Sequence, residues 1–226
     1  MILTVTAGKG GVGKSTVAYN LAAELDAVVV DADLGMADLP TSRGPDLHDV
    51  LAGRASPTEA VREGGPVKLL PCGRSLAGAR AADSTALVET VQDVAREYDR
   101  VVIDSPAGMR SDAGIPLLAG EACLLVTRPA RAAIADAIRI RELARAIETP
   151  LARIALNRVE PEKLDRDARD ERLATTLGAP VVAVPESSAL AQAQQSGQPV
   201  STVAPGARVT TQFKTLATAV QRAVSS

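Results

Sequence analysis

The sequence predicts an α/β protein in which helices cover both faces of a doubly wound, mostly parallel sheet. Strand-like apolar runs alternate with helical patterns along the chain, which favours parallel strands joined by right-handed crossovers. The run Ala27–Asp31 consists mainly of valine, which is typical of a strand buried on both faces. The 226 residues are 46% hydrophobic, and no break in composition divides them. We therefore expect one domain over residues 1–226.

The individual elements follow from the apolar pattern. Met1–Val5 predicts the first strand, Val17–Leu25 the helix after it, and Arg100–Asp104 another buried strand. Residues 36–65 are rich in proline and glycine and predict a loop-rich segment with two short helical pieces, Asp46–Ala52 and Pro57–Arg62. The other predicted strands are Val67–Pro71, Ala122–Val126, Ala152–Leu156 and Val181–Val184. The other predicted helices are Asp83–Tyr98, Arg131–Ile147, Asp167–Leu177, Ser188–Gln195 and a closing helix at about 208–224.

The stretch Gly8–Thr16 fits the full G-x-x-x-x-G-K-[ST] pattern and lies between the first strand and the first helix. Its glycines allow backbone N–H groups to surround a phosphate chain, and the helix N-terminus adds a partial positive charge. Lys14 would reach the β and γ oxygens, and Ser15 is placed to bind Mg²⁺. The stretch therefore predicts a site for ATP or GTP.

A dinucleotide site is the alternative for the same glycines. Gly8, Gly10 and Gly13 also satisfy G-x-G-x-x-G, and Asp31 lies near the distance expected of a ribose-binding acid. A pyrophosphate on a helix N-terminus needs neither an ammonium nor a hydroxyl group. This alternative would leave Lys14–Thr16 without a role, so we favour the phosphate loop.

Acidic residues end two of the predicted buried strands. Asp31 and Asp33 leave one strand next to the phosphate loop, where open α/β sheets bind ligands, although such acids can also be helix caps or solvated loop residues. Asp104 ends another strand, and Ser105–Gly108 breaks it at once. An acid at this place typically holds Mg²⁺ through its water shell in nucleotide hydrolases. The segment after it is a candidate switch for the γ-phosphate.

Composition limits the possible partners and the compartment. The formal net charge is −2, and the chain has only three aromatic residues, so we expect no base-stacking platform for single-stranded nucleic acid. Cys72 and Cys123 lie in apolar runs and are interpreted as core thiols, with a disulfide, a metal site or a shared cluster as alternatives. The chain shows neither a leader pattern nor an apolar run long enough to cross a bilayer, and we expect a cytoplasmic protein.

Lys9 narrows the choice among nucleotide-binding proteins. An ordinary phosphate loop does not need a second lysine near its start, and the stretch Lys9–Thr16 resembles the deviant loop of the MinD/ParA ATPases. Further stretches that fit this family are Asp31–Gly35, Asp104–Gly108, and Val184–Leu190 leading to Gly197–Val200. The Asp-Ser-Pro-Ala-Gly form and the Pro-Glu segment look more like MinD than like the plasmid-partition branch. The resemblance implies a P-loop NTPase fold of the SIMIBI type.

The resemblance also implies a role for each matching residue. Lys9 would cross an ATP-bound dimer interface to the partner's phosphates, and Asp33 would orient the attacking water. The implied catalytic residues are Lys9, Lys14 and Asp33, and the implied metal ligands are Ser15, Asp104 and Asp33. The implied nucleotide-binding residues are Lys9, Gly10, Gly11, Val12, Gly13, Lys14, Ser15, Thr16, Asn157, Arg158, Pro185, Glu186 and Ser187. Asn157, Arg158 and the loop Pro185–Ser187 would frame the adenine.

The function that the resemblance implies is a slowly hydrolysing ATPase with ATP and Mg²⁺ as cofactors. It would act as a nucleotide-dependent dimerisation switch in the positioning of a cell-division site, a chromosome, or polar and surface machinery. The implied partners are a second copy of the chain, formed with ATP, and an activator protein. A ParA-type DNA-associated partition ATPase and an iron–sulfur or metal carrier on the same fold stay open as alternatives, and the lack of a C-x-x-C motif argues against the carrier.

Two segments bear on membrane and DNA binding. MinD proteins usually end in a basic amphipathic membrane helix, but residues 208–224 have three cations and a single aromatic residue, Phe213, so we expect a helix that closes the core. Membrane association would then need a partner.

Residues 128–158 carry seven arginines against three acids, which leaves non-specific DNA binding open. The arginines interleave with apolar residues, which favours an ordinary solvated helix.

Overall fold

A computed structural model describes residues 1–34, 39, 43–73, 78, 81–108, 113–164 and 167–225 of the chain. Its strands are β1 (Ile2–Thr6), β2 (Val28–Asp31), β3 (Leu69–Leu70), β4 (Val101–Asp104), β5 (Ala122–Thr127), β6 (Leu151–Val159) and β7 (Val181–Pro185). They form one sheet in the order β3-β2-β4-β1-β5-β6-β7, and every neighbouring pair is parallel. The predicted α/β fold with a parallel sheet is confirmed, while the extent of the domain stays a prediction.

Helices connect these strands. They are α1 (Lys14–Leu25), α2 (Leu47–Leu51), α3 (Pro57–Ala60), α4 (Leu87–Tyr98), α5 (Gly114–Ala119), α6 (Arg131–Ala146), α7 (Asp167–Leu177), α8 (Ser188–Gln195), α9 (Val200–Val203) and α10 (Arg208–Val224). Among the described residues, 3₁₀ turns also form at Ser84–Ala86 and Pro161–Lys163. The helices lie on both faces of the sheet, since alternate residues of β1 belong to different cores. Leu3 and Val5 pack in the cluster that contains Phe213, and Ile2 packs in the cluster that contains Leu87 and Val91.

The strand order brings the predicted site together at one edge of the sheet. β1 lies between β4 and β5, and its residue Val5 is in register with Asp104 at the end of β4. Asp104 is also in register with Asp31 at the end of β2. The carboxyl ends of the parallel strands therefore place the glycine loop and both acids side by side, which is where open α/β sheets bind ligands.

The structure differs from the prediction in short or interrupted elements. α5 and α9 were not predicted, since α5 holds a glycine and a proline in its first turn and α9 has only four residues. β3 is shorter than the predicted Val67–Pro71, and Pro71 has no N–H for the ladder. β6 runs past the predicted Leu156 to Val159. Parts of the loop-rich segment predicted at 36–65 lie outside the described residues.

α10 closes one face of the sheet, as the sequence predicts. It packs on α1, β6 and β7. Its apolar residues Val209, Phe213, Leu216 and Val220 are buried in the core there, and Val224 is half-buried. None of the described helices is long and apolar enough to cross a membrane. The apolar face of α10 is thus occupied by the protein's own core.

We expect Phe213→Ala to lower the free energy of unfolding by about 3–5 kcal/mol, because it empties the largest fully buried side-chain site of the fold. Urea denaturation of the purified protein measures this change. Lys214→Ala alters the next residue, which is exposed, and should change the free energy of unfolding by less than about 0.5 kcal/mol. An equal effect of the two substitutions would contradict the packing of α10.

Candidate functional site

The loop between β1 and α1 takes a shape that only glycine adopts easily. Gly11 and Gly13 have φ angles of 76° and 94°, in the left-handed region. Gly13 is the residue before α1, and having no side chain it cannot cap the helix. The N–H groups of the first turn of α1 are therefore left to face an anion, with the positive end of the helix dipole behind them.

Two other elements press closely on this loop. A Cβ atom at Gly8 would lie 2.2 Å from the backbone oxygen of Asp136 in α6, and one at Gly13 would lie 2.2 Å from Nδ2 of Asn157 in β6. Asn157 Nδ2 also donates a hydrogen bond of 2.8 Å to the carbonyl of Val12. Neither position has room for a side chain. The loop is therefore held between α6 and β6.

A buried ion pair joins the loop to the sheet. Lys14 Nζ lies 2.6 Å from Oδ1 of Asp104, and their side chains are 6% and 0% exposed. Lys14 Nζ also donates to Oγ of Ser15 at 3.2 Å. A buried charge is tolerated when it is paired and hydrogen-bonded. The ammonium group is thereby held at the entrance of α1, where the sequence predicts phosphate oxygens.

A second carboxylate lies beside this pair. Burial raises the pKa of Asp31 to about 7, and the neighbouring charge of Asp104 contributes to the rise. Its Oδ1 accepts a hydrogen bond of 3.3 Å from the backbone N–H of Asp33, whereas its Oδ2 is buried and has no partner among the described residues. The site therefore contains more buried negative charge than Lys14 alone neutralises.

The oxygen atoms of this site suit a hard divalent cation. The Ser15 hydroxyl and the Asp104 carboxylate contact the same nitrogen of Lys14, so they face a common point. Mg²⁺ prefers such oxygen donors and takes only one or two from the protein when phosphates and waters supply the rest. The described residues hold no cluster of three acidic, cysteine or histidine side chains that could bind a metal without a phosphate ligand. The donor set thus fits Mg²⁺ bound together with phosphates.

A cavity of about 560 Å³ opens above the loop. Nine of the residues that the sequence predicts line it: Lys9, Gly10, Gly11, Gly13, Lys14, Ser15, Thr16, Asp33 and Arg158. Arg158 reaches the cavity because a register shift between β6 and β7 places it at a left-handed φ of 55°. The described geometry therefore brings the loop, Asp33 and one arginine to a single space.

Other predicted residues lie elsewhere. Val12, Asp104 and Asn157 are buried behind the cavity wall, and the Asn157 amide supports the loop from below. Pro185–Ser187 are not among the described residues that line the cavity, and the N–H of Glu186 donates to the carbonyl of Val159. Contacts of Asn157 and of this loop with an adenine stay predictions.

Seven further residues that line the cavity were not predicted from the sequence: Tyr19, Asn20, Leu39, Ala107, Gln194, Gly197 and Gln198. Tyr19 donates to the carbonyl of Gly197 at 2.8 Å, and the side chain of Asn20 accepts from the N–H of Val200 at 2.7 Å. Thr16, Tyr19 and Asn20 share one face of α1 at spacings of three and four residues. The polar side chains on that face of a largely buried helix were the sequence feature that could have predicted these lining residues.

Known nucleotide-binding proteins resemble this chain in sequence and in fold. A family model described as the CobQ/CobB/MinD/ParA nucleotide binding domain matches residues 3–200. An uncharacterized ATP-binding protein of Methanocaldococcus jannaschii is 36% identical over 197 residues, which cover 82% of this chain and 74% of that protein. The structure of the Pyrococcus furiosus cell division ATPase MinD is 30% identical, with a TM-score of 0.87 and 98% of both chains covered. The Pyrococcus horikoshii septum site-determining protein MinD, solved with Mg-ADP, is 29% identical, with a TM-score of 0.85 over 96% of this chain and 93% of that one.

We expect Gly13→Ala to destabilise the protein by at least about 2 kcal/mol, because the new methyl group meets Asn157 at a positive φ. In the double variant with Asn157→Ala the clash disappears, so the combined loss should be smaller than the sum of the single losses. Urea denaturation measures all three. Gly10→Ala is the control, since nothing lies within 4 Å of its added methyl group. Additive losses would contradict the close contact.

We expect Asp31→Asn to weaken the pH dependence of stability. The pKa of Asp31 is raised from 3.8 to about 7 in the folded state, so its contribution is fully present below the unfolded pKa and is lost as pH rises through about 7. Between about pH 4 and pH 8 the wild type should lose roughly 2–4 kcal/mol more than the variant. Urea denaturation without nucleotide or Mg²⁺ measures this. Asp26→Asn, at an exposed acid, should follow the wild type, and equal pH slopes for all three proteins would refute the assignment.

Proposed function

This chain belongs to the CobQ/CobB/MinD/ParA family of nucleotide-binding domains, and on that premise we propose that it is a MinD-like switch that dimerises with Mg-ATP. It is an ATPase, and its cofactors are ATP and Mg²⁺. In our proposal the protein hydrolyses ATP slowly until an activator protein joins it, and the dimer serves to position a larger assembly in the cell. The similarity of this chain to the structures of the two Pyrococcus MinD proteins supports this proposal.

The observation that carries the proposal is a buried Lys14–Asp104 pair beneath a glycine loop whose rim bears a second lysine. Lys14 has almost no exposure, whereas Lys9 is exposed at the edge of the cavity. A buried ammonium serves a ligand bound within the same subunit. An exposed one gains little energy in water and much more in a closed interface.

Each residue of the site then has a task in hydrolysis. The N–H groups at the start of α1 and the ammonium of Lys14 bind and orient the phosphates. Ser15 and Asp104 would hold Mg²⁺, which when bound neutralises phosphate charge. Asp33 lines the cavity, half-buried, and would accept a hydrogen bond from the attacking water. Phosphoryl transfer depends mainly on such orientation and charge neutralisation.

The positions of the cations that line the cavity support slow turnover by a single subunit. Among the described residues that line the cavity, the cations are Lys9, Lys14 and Arg158. Lys14 is already paired with Asp104, and the other two side chains are exposed at the rim. Transition-state charge on the phosphate is then poorly stabilised until a second subunit or a partner supplies a cation. We propose that Lys9 of the second subunit does so.

The two alternative functions have less support among the described residues. For DNA binding, Arg139 and Arg141 of α6 are ion-paired with Asp136 and Glu142, which reduces the free positive charge of that helix. For a metal carrier, both cysteines are free and buried, as predicted for core thiols, and the part of the chain that the structure describes contains no metal-ligand cluster. The nucleotide switch therefore remains our proposal.

We expect Lys9→Ala and Lys14→Ala to separate dimerisation from nucleotide binding. Lys9→Ala should keep the affinity for a non-hydrolysable ATP analogue within about threefold, lose the analogue-induced dimer, and lower turnover at least about tenfold. Lys14→Ala should weaken binding by about a hundredfold or more, because the ammonium contacts the phosphates directly. Calorimetry measures binding, and size-exclusion chromatography with light scattering measures the dimer.

The control for this experiment is Lys68→Ala, since Lys68 is ion-paired with Asp26 and is not among the residues lining the cavity. This variant should bind, dimerise and hydrolyse like the wild type, whose turnover we expect to be on the order of one per minute or less without an activator. Normal dimerisation and turnover of Lys9→Ala would refute the proposed role of this lysine.

A further inference from the structure

The single histidine of the chain is buried against a cysteine beside the exit of β2. His48 is 2% exposed and Cys72 is 1% exposed, and His48 Nε2 lies 3.5 Å from Cys72 Sγ. Neither residue lines the cavity. Both nevertheless contact the backbone of the segment that carries Asp33, and the site described above gives them no task.

The contacts are to the carbonyl groups of Asp33 and of the residue that follows it, Leu34. Cys72 Sγ lies 3.4 Å from the carbonyl of Asp33 and 3.5 Å from that of Gly73, and its proton is shared between these two acceptors. His48 Nε2 lies 3.3 Å from the carbonyl of Leu34. The N–H groups of the segment are bound by other atoms: that of Ala32 by the carbonyl of Asp104, and that of Asp33 by the carboxylate of Asp31. The cysteine and the histidine therefore bind the carbonyl side of this segment, at Asp33 and Leu34.

These contacts indicate which atom carries the donated proton in each group. A carbonyl oxygen only accepts, so a hydrogen bond from His48 to Leu34 requires the proton on Nε2. The thiol must likewise keep its proton to donate to Asp33, and burial raises the pKa of Cys72 far above its ordinary value. Both side chains thus act as hydrogen-bond donors to this segment.

The elements that carry the pair are fixed to the sheet. Cys72 follows β3, which pairs in register with β2 through Val30 and Leu70. α2 carries His48 and is tied to the end of β3 by a hydrogen bond of 2.9 Å from the N–H of Leu47 to the carbonyl of Pro71. A capping box at its first residue fixes its start. The two donors therefore sit on a rigid support.

The backbone at Gly73 packs closely against the imidazole ring of His48. A Cβ atom at Gly73 would lie 2.3 Å from His48 Nδ1 and 2.8 Å from both carboxylate oxygens of Asp46. Glycine is required there by this close approach. The ring is thus confined between the strand exit and the first turn of α2.

We propose that His48 and Cys72 are positioning residues that hold the backbone of Asp33 and Leu34, so that the Asp33 carboxylate stays aligned in the cavity during ATP hydrolysis. The inference rests on the role of Asp33 in the proposed function. Because neither residue touches the nucleotide, they act on turnover and leave nucleotide affinity unchanged. Displacement of a catalytic group by about 1 Å can cost a hundredfold in rate, so the loss of one anchor should be measurable.

The test compares variants that remove a donor with variants that restore one. His48→Leu and Cys72→Ala remove the donors, whereas His48→Gln and Cys72→Ser keep an N–H or O–H near the same place. We expect His48→Leu to lower kcat for Mg-ATP roughly tenfold and Cys72→Ala three- to tenfold, with the ATP dissociation constant within about twofold of wild type. His48→Gln and Cys72→Ser should return kcat to within about threefold of wild type.

Cys123→Ala is the matched control for lost packing. Cys123 is also 1% exposed, but it lies in β5 in the cluster of Leu117 and Ala144, away from the cavity. It should lower the melting temperature like Cys72→Ala and leave kcat unchanged. Equal kcat for the two alanine variants would overturn the inference. So would a loss in His48→Leu that His48→Gln does not restore, because that pattern indicates a purely structural role.

Asp33→Ala separates failure of this inference from failure of the proposed function. If the wild-type chain does not hydrolyse ATP, or if Asp33→Ala keeps full turnover, the proposed function fails and the inference falls with it. If Asp33→Ala abolishes turnover while His48→Leu and Cys72→Ala keep the wild-type kcat, only the positioning role fails.

Discussion

The ion pair between Lys14 and Asp104 joins the phosphate loop to the sheet, and both side chains are buried. Lys14 is the first residue of α1 and Asp104 the last of β4, and 2.6 Å separates the charged atoms. Loss of one partner of a buried pair typically costs about 3–5 kcal/mol, because the other charge stays buried. The pair therefore holds the start of α1 against the end of β4, and with it the loop that precedes the helix. Burial in the same region raises the pKa of Asp31, and the charge of Asp104 adds to the rise.

The neighbours of the loop make it rigid as well as correctly shaped. α6 presses on Gly8 and β6 on Gly13, and the Asn157 amide binds a loop carbonyl. A loop that is already confined loses little conformational freedom when a ligand binds, so more of the contact energy appears as affinity. Asp33 is confined in a similar way on the other side of the cavity, through the carboxylate of Asp31 and the buried thiol of Cys72.

The sequence predicts local features of this protein far better than contacts between distant segments. The spacing of the loop, the valine-rich strands and the acids at their ends were sufficient to predict the parallel sheet and the loop side of the cavity, whereas Lys9 and Arg158 followed from the resemblance to the MinD/ParA ATPases. The amide of Asn157 meets the carbonyl of Val12, 145 residues away in sequence, a pairing that no local pattern encodes. The outward turn of Arg158 depends on a register shift between β6 and β7. The link between Tyr19 and Gly197 likewise exists only after the chain has folded.

The packing of α10 on α1 also bears on how the molecule is made. α1 carries the loop lysine, and the cluster that buries its apolar residues includes Phe213 and Leu216 of α10, which leave the ribosome long after it. Until then the apolar side of α1 lacks much of its cover and exposes surface that favours aggregation. Contacts between segments so far apart in sequence also slow folding. Synthesis of this protein thus includes a period in which β1 and α1 exist but the nucleotide-binding helix cannot be fully packed.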